Sequence, residues 1–232
     1  TVEMNNVLWV FGDSFCSHNS NYITTIFKKG KFKDIKVLGR SSSSTYYSLL
    51  TLSENVHLFE PEDSVIFGVT DGNRHYFAEN HFSGAVGINK YYDEDKQEYL
   101  PTPKYLQDTY TEFFTHLWDL KQGYIINDAV KFYIEKGIMK HVNVKNFILF
   151  NTIDSKDFIS YKFGMNPPIP VKSMTETMRD FYHEHLGQKD KTLMDIVLEN
   201  KAENHWITHP DYEEYFWNIY TKLFEPLWLR LK

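Results

Sequence analysis

The chain has 232 residues, and a hydrophobic content of 42% with 17% aromatic residues excludes disorder as its general state. A formal net charge of −6 without a long basic tract gives no support to nucleic-acid binding, and no apolar run is long enough to span a membrane. The single Cys16 excludes an internal disulfide and a cysteine-rich zinc site, and we expect its side chain to be buried or half-buried rather than a reactive thiol. The length fits one domain over residues 1–232.

Four short runs of apolar, β-prone residues predict strands. They cover residues 7–11, 35–38, 64–70 and 146–151. Because the runs are almost entirely apolar rather than alternating, we expect strands that are covered on both faces, as in a parallel sheet.

Stretches with helical character separate these runs. Residues 43–59 follow the second run, and residues 105–120 place five apolar side chains on one helical face. Those five are Leu106, Tyr110, Phe113, Phe114 and Leu117. Residues 212–227 have the clearest helical periodicity, whereas the polar, poorly periodic residues 76–104 predict a long loop or lid. The alternation of strands and helices predicts an α/β fold with helices on both faces of the sheet.

Polar motifs stand where the predicted strands end, which is where parallel sheets carry their working residues. The first run is followed by Gly12-Asp13-Ser14 and the second by Gly39-Arg40, while the third leads into Gly68-Val69-Thr70-Asp71. His209-Pro210 comes just before the terminal helical stretch. A serine hydroxyl is a weak nucleophile, and it needs a base such as histidine within hydrogen-bond reach.

This ordered set of motifs resembles the SGNH (GDSL) hydrolase superfamily, and its four short blocks are distributed over most of the chain. The resemblance implies a flavodoxin-like, three-layer α/β/α fold with a parallel sheet. Residues 76–145 would then be an insertion after the third strand, containing a lid and a helical region. The resemblance also implies hydrolysis of a small-molecule, carbohydrate or lipid ester without a metal or an organic cofactor.

The resemblance implies a role for each motif. Ser14 would be the nucleophile and His209 the general base. The backbone N–H groups of Ser14 and Gly39 would bind the oxyanion, helped by the side chain of Thr70 or Asn73. These roles correspond to the chemistry of acyl transfer, in which the donors must be fixed before charge develops.

Two positions depart from the family pattern. Thr70 stands where the family has asparagine, and Trp206 stands three residues before His209, where the family has aspartate. The residues that could orient His209 instead are Glu203 and Asp211, and a backbone carbonyl is a third possibility. Two further residues, Asp13 and Arg74, are candidates for substrate binding at the expected cleft.

Three functions stay open at this point. A serine esterase or acetylesterase is the expected function, and an acyltransferase of the same fold would differ only in excluding water. The third is a non-catalytic binding or structural protein, for example a phage or virus virion component. The amino terminus lacks a basic region followed by an apolar run, so no secretory signal is visible, and a mature chain whose signal had been removed would look the same. Cytoplasmic and virion-associated locations both fit the sequence, which does not specify an oligomeric state.

Overall fold

Four parallel strands form the central sheet of the computed structural model, in the spatial order β2-β1-β3-β8. The structure describes residues 6–17, 32–40, 43–70, 72, 74–77, 82–83, 90–93, 96 and 98–152. The strands are β1 (Val7–Phe11), β2 (Asp34–Val37), β3 (Ser64–Val69), β4 (Tyr76–Phe77), β5 (Phe82–Ser83), β6 (Lys90–Asp93), β7 (Glu98–Pro101) and β8 (Asn146–Asn151). The predicted α/β fold with a parallel sheet is therefore confirmed.

The carboxyl ends of the four parallel strands lie at one edge of the sheet. The last paired residues are Val10 with Val37, Phe11 with Phe67, and Val69 with Asn151. From β1 the chain continues to β2 on one side, and from β3 it continues to β8 on the other side. The loops that leave β1 and β3 therefore diverge, and open α/β sheets bind ligands in the crevice at such a switch point.

The four strand predictions are confirmed, with β2 and β3 shifted or shortened by one residue. Every residue of β3 is buried, as are the last four of β1, which explains why these runs are apolar throughout. The expectation of two covered faces is wrong for β2, which lies at an edge of the described sheet. There Asp34 and Lys36 are exposed and form an ion pair of 3.0 Å.

Three α-helices lie within the described residues, α1 (Thr45–Asn55), α2 (Lys104–Glu112) and α3 (Leu120–Tyr133). The Ser44 hydroxyl caps α1 by accepting a hydrogen bond from the Tyr47 N–H at 3.1 Å. Helices α1 and α3 contribute Leu52 and Val130 to the hydrophobic core. This core also contains side chains from β1, β3 and β8, including Phe11, Phe67 and Phe147. The two helices thus cover one face of the sheet.

The predicted helix over residues 105–120 ends earlier than its periodicity suggested. After α2 the chain forms a π-helical turn over Phe113–Leu117, closed by a hydrogen bond of 2.8 Å from Trp118 N to Phe113 O. A π-turn inserts an extra residue into the helical repeat, so the apolar face does not continue through it. Tyr110 is accordingly buried, whereas Leu117 has 73% of its surface exposed.

Between residues 76 and 104, where a loop was predicted, the described residues form four short strands. Strands β4 and β5 form one antiparallel pair, and β6 and β7 form a second. The loop prediction is therefore wrong for these strands, because strands of two to four residues are too short to show periodicity. The predicted helix over residues 212–227 lies outside the described residues. None of the helices that the structure describes has the length and apolar character needed to cross a bilayer.

Candidate functional site

The turn after β1 places Ser14 at the carboxyl edge of the sheet. Gly12 has a φ of +148°, a backbone conformation that favours glycine, and Ser14–Cys16 form a 3₁₀ turn. The turn is closed by Cys16 N donating to Asp13 O at 2.9 Å, and by the Ser17 hydroxyl donating to Ser14 O at 2.9 Å. Ser14 itself is half-buried. The Gly12-Asp13-Ser14 motif is therefore a tight turn that also presents a serine at the switch point.

A buried carboxylate joins this turn to the neighbouring strands. The side chain of Asp13 is fully buried and accepts a hydrogen bond from Thr70 Oγ1 at 2.5 Å. It also accepts from Thr152 Oγ1 at 3.2 Å, whose proton is shared with Val69 O at 3.1 Å. A third hydrogen bond comes from Arg74 Nη1 at 3.1 Å. Thr70 and Thr152 are the residues that directly follow β3 and β8. The Asp13 carboxylate thus connects three of the four strand ends, and we call Asp13, Thr70, Arg74 and Thr152 the Asp13 network.

These contacts bear on two of the predicted roles. The Asp13 carboxylate faces protein donors rather than solvent, a geometry that does not support the predicted direct contact with substrate. The Thr70 hydroxyl carries one proton, and in this arrangement that proton is donated to Asp13. It is then not available to an oxyanion, so the geometry does not support this predicted role of Thr70 either.

Gly39 lies against the Ser14 turn, as its predicted role requires. The ladder between β1 and β2 continues through Leu38 N to Val10 O at 2.8 Å and Arg40 N to Gly12 O at 3.0 Å. The Gly39 N–H between them has no hydrogen-bond acceptor among the described residues.

The close approach also explains why residue 39 is glycine. A Cβ built on Gly39 would lie 1.9 Å from the carbonyl oxygen of Cys16, which is a backbone atom and cannot move independently. We expect Gly39→Ala to lower the free energy of unfolding by about 2 kcal/mol, because it forces the two loops apart. Chemical denaturation measures this loss.

Gly137→Ala is the matched control for this prediction. Gly137 lies in the π-turn Ile134–Ile138, where an added Cβ would meet the Tyr133 ring at an ordinary distance of 3.4 Å. Since alanine favours helical backbone over glycine, this variant should be neutral or more stable by up to about 1 kcal/mol. Equal stabilities of the two variants would contradict the close contact at Gly39.

Arg74 is held mainly by its ion pair with the Asp13 carboxylate. Its side chain is 11% exposed, and Nη1 also approaches Ser43 O at 3.4 Å. The Ser43 hydroxyl in turn donates to Gly12 O at 2.9 Å, which ties the start of the α1 segment to the same turn. The buried Nε of Arg74 has no acceptor among the described residues.

The loop after β3 is also held from the side of α3. Asn127 Nδ2 donates to Thr70 O at 2.8 Å, and Gly123 closely approaches the backbone of Gly72. His75 packs on the rings of Phe113 and Trp118, with centroids 5.2 and 4.9 Å away. Burial lowers the pKa of His75, which favours its neutral form near pH 7.

Several contributing residues were not predicted. Thr152 follows a predicted strand directly, so the rule that strand ends carry working residues could have found it. Asn127 and Gly123 stand one helical turn apart on α3, but nothing in their spacing indicates a contact with the third strand end. The predicted burial of Cys16 is confirmed, since its side chain is fully buried.

Four predicted site residues lie outside the described residues. They are Asn73, Glu203, His209 and Asp211. The structure therefore brings together Asp13, Ser14, Gly39, Thr70 and Arg74 from the predicted set. In the described part of the chain, no group of three His, Cys, Asp or Glu side chains could hold a metal ion.

Comparisons with family models, with curated proteins and with solved structures gave no match. The class of the protein is therefore defined by its fold and its site. It is an α/β protein with a parallel sheet, in which a serine at the end of the first strand adjoins a buried carboxylate that connects three strand ends.

Proposed function

We propose that the chain is a serine ester hydrolase of the SGNH type, with Ser14 as nucleophile and His209 as general base. The observation that carries the proposal is the position of Ser14 in a constrained turn at the switch point between β1 and β3. The order β2-β1-β3-β8 corresponds to the first four strands of a flavodoxin-like sheet, whose ligands bind at this point. The insertion of residues 76–145 after the third strand fits the same proposal.

The proposed reaction proceeds in two halves. Ser14 Oγ bonds to the ester carbonyl carbon while its proton passes to the imidazole of His209. The tetrahedral adduct then expels the alcohol, which takes that proton. Water attacks the acyl-enzyme in the same way, releasing the acid and restoring Ser14. The substrate would be a small-molecule, carbohydrate or lipid ester, and the residues named here need no metal or organic cofactor for these steps.

Stabilisation of the oxyanion is assigned to backbone donors. The N–H groups of Gly39 and Ser14 would carry most of it, and a single such donor can contribute about 3 kcal/mol to the transition state. The close approach of Gly39 to the Cys16 backbone in the Ser14 turn supports this role. Because the Thr70 hydroxyl donates its proton to Asp13, an additional side-chain donor to the oxyanion would have to come from Asn73.

The orientation of His209 is the second part of the proposal. Trp206 replaces the usual acid, so Glu203, Asp211 or a backbone carbonyl would hold the imidazole in the required tautomer. Loss of the acid from a Ser-His-Asp triad can cost about 10⁴-fold in rate while leaving activity above background. We therefore expect turnover that is slower than in enzymes with a complete triad.

His209→Ala tests the assignment of the base. We expect it to lower kcat for p-nitrophenyl acetate by at least about 10²-fold, since general-base catalysis contributes that much. His205→Ala is the matched control because it removes a neighbouring imidazole and should leave kcat within about twofold. Equal losses in both variants, or none in His209→Ala, would contradict the assignment.

A non-catalytic binding or structural protein, such as a phage or virus virion component, is the second candidate. Two observations favour it: the Thr70 hydroxyl is engaged by Asp13, and the acid before His209 is absent from the sequence. Such a protein would keep the constrained turn as part of the fold. It would not turn over p-nitrophenyl acetate or longer p-nitrophenyl esters although it is fully folded.

A further inference from the structure

Two residues one turn apart on α3 contact the loop that follows β3. Asn127 is 6% exposed, and its Nδ2 donates to the carbonyl oxygen of Thr70 at 2.8 Å. Gly123 lies so close to this loop that an added Cβ would come within 1.8 Å of the Gly72 carbonyl oxygen. The face of α3 that carries these two residues is therefore fitted to the loop backbone.

The Thr70 carbonyl needs such a partner because the sheet ends there. The last ladder hydrogen bond between β3 and β8 runs from Thr152 N to Val69 O at 2.8 Å. The next carbonyl, that of Thr70, has left the ladder, and a buried carbonyl without a donor would cost free energy. Asn127 supplies that donor from α3.

Thr70 is consequently fixed by three different elements. Its N–H donates to Thr45 Oγ1 of α1 at 3.1 Å, its carbonyl accepts from Asn127 of α3, and its hydroxyl donates to Asp13. Asp13 directly precedes Ser14 in the turn after β1. A continuous series of hydrogen bonds and backbone therefore runs from α3 to the proposed nucleophile.

We propose that Asn127 is a positioning residue for the ester hydrolysis assigned to Ser14, acting through Thr70 and Asp13. This inference rests on the proposed function. Asn127 does not touch the reacting atoms; it holds the loop so that Thr70 and Arg74 present their donors to Asp13. Helix α3, which belongs to the insertion, thereby supports the loop after β3 through direct contacts. This role differs from that of a lid.

Asn127→Asp tests the proposal because it keeps the side-chain shape and replaces the donor with an acceptor that repels the Thr70 carbonyl. We expect amide exchange in a peptide covering residues 66–76 to accelerate about tenfold, as measured by mass spectrometry. We also expect kcat for p-nitrophenyl acetate to fall by about 10- to 100-fold, with KM changing less than about threefold.

Val130→Ala is the matched control. Val130 lies three residues further along α3, is buried in the core and belongs to the same helix. This variant should lose stability by cavity formation without accelerating exchange in residues 66–76 beyond the rest of the domain, and its kcat should be unchanged.

If Asn127→Asp does not fold, Asn127→Ser, which keeps a shorter donor, is measured in both assays and should give smaller changes of the same sign.

The two assays separate the possible failures. Unchanged kcat in the Asn127 variant, or equal local exchange in the Asn127 and Val130 variants, would overturn the positioning role. No ester turnover by the wild type together with locally faster exchange in the Asn127 variant would overturn the proposed function. That result would still support the contact between α3 and the loop, but it would remove the positioning role of Asn127 in ester hydrolysis.

Discussion

Ser14→Ala is expected to lower the turnover of p-nitrophenyl acetate by at least about 10⁴-fold while leaving the fold intact. The proposed reaction has no covalent step without the Ser14 hydroxyl, so the remaining rate would come only from binding and the oxyanion donors. The backbone carbonyl of Ser14 still accepts the hydrogen bond from Ser17 in this variant. Circular dichroism should therefore give the wild-type spectrum, and chemical denaturation a loss of no more than about 1 kcal/mol.

Ser17→Ala is the matched control for the nucleophile. Ser17 is buried in the same turn, and its hydroxyl donates to Ser14 O at 2.9 Å. Its removal should cost about 1 kcal/mol of stability and leave kcat within about tenfold of the wild type. Wild-type turnover in Ser14→Ala would contradict the assignment of the nucleophile, whatever the behaviour of Ser17→Ala.

Asp13→Asn should be the most destabilising single change at the site. It removes the charge opposite Arg74 from a fully buried position, where Oδ2 accepts hydrogen bonds from Thr70 and Arg74. Removing one partner of a buried ion pair costs about 3 kcal/mol or more, because the other charge stays uncompensated. Chemical denaturation measures the loss, and kcat should fall with it because the Ser14 turn loses its connection to β3 and β8.

The exposed ion pair on β2 provides the control for Asp13. Asp34 and Lys36 are 3.0 Å apart with about half of each side chain exposed, and Asp34→Asn should change stability by less than about 1 kcal/mol. Combining Asp13→Asn with Arg74→Gln should cost less than the sum of the single changes, since both act on one contact. Equal losses in Asp13→Asn and Asp34→Asn would contradict the central position of Asp13.

The sheet could be predicted from the sequence because its strands are short apolar runs that end in polar or glycine residues. The predicted bounds of β1 and β8 agree with the structure residue for residue. The meeting of Gly12-Asp13-Ser14, Gly39 and Thr70 at one edge followed from the parallel arrangement alone. These are local patterns combined with one topological rule.

The contacts inside the site could not be predicted in the same way. The hydrogen bond from Thr152 to Asp13 joins residues 139 positions apart, and it depends on the register of β8 beside β3. The contact of Asn127 with Thr70 depends on how α3 lies over the sheet. Both are consequences of tertiary packing, which no window of the sequence encodes.

The helical insertion was predicted least well, for a related reason. The π-turn Phe113–Leu117 interrupts the heptad-like spacing of apolar residues, so the predicted face continued too far. Gly123 lowers the helical propensity of the α3 segment, yet it is required there by the contact with Gly72. Gly123 is thus required by a tertiary contact, and for that reason it makes the α3 segment look less helical in the sequence.

The most direct test of the account is covalent labelling of the wild-type protein with a fluorophosphonate probe, followed by peptide mass spectrometry. Such probes phosphonylate serines that are activated as nucleophiles. The account predicts one adduct per chain on Ser14 and slower labelling of His209→Ala. A folded wild-type chain that forms no adduct, or that is labelled at another serine, would contradict the assignment of Ser14 as the nucleophile.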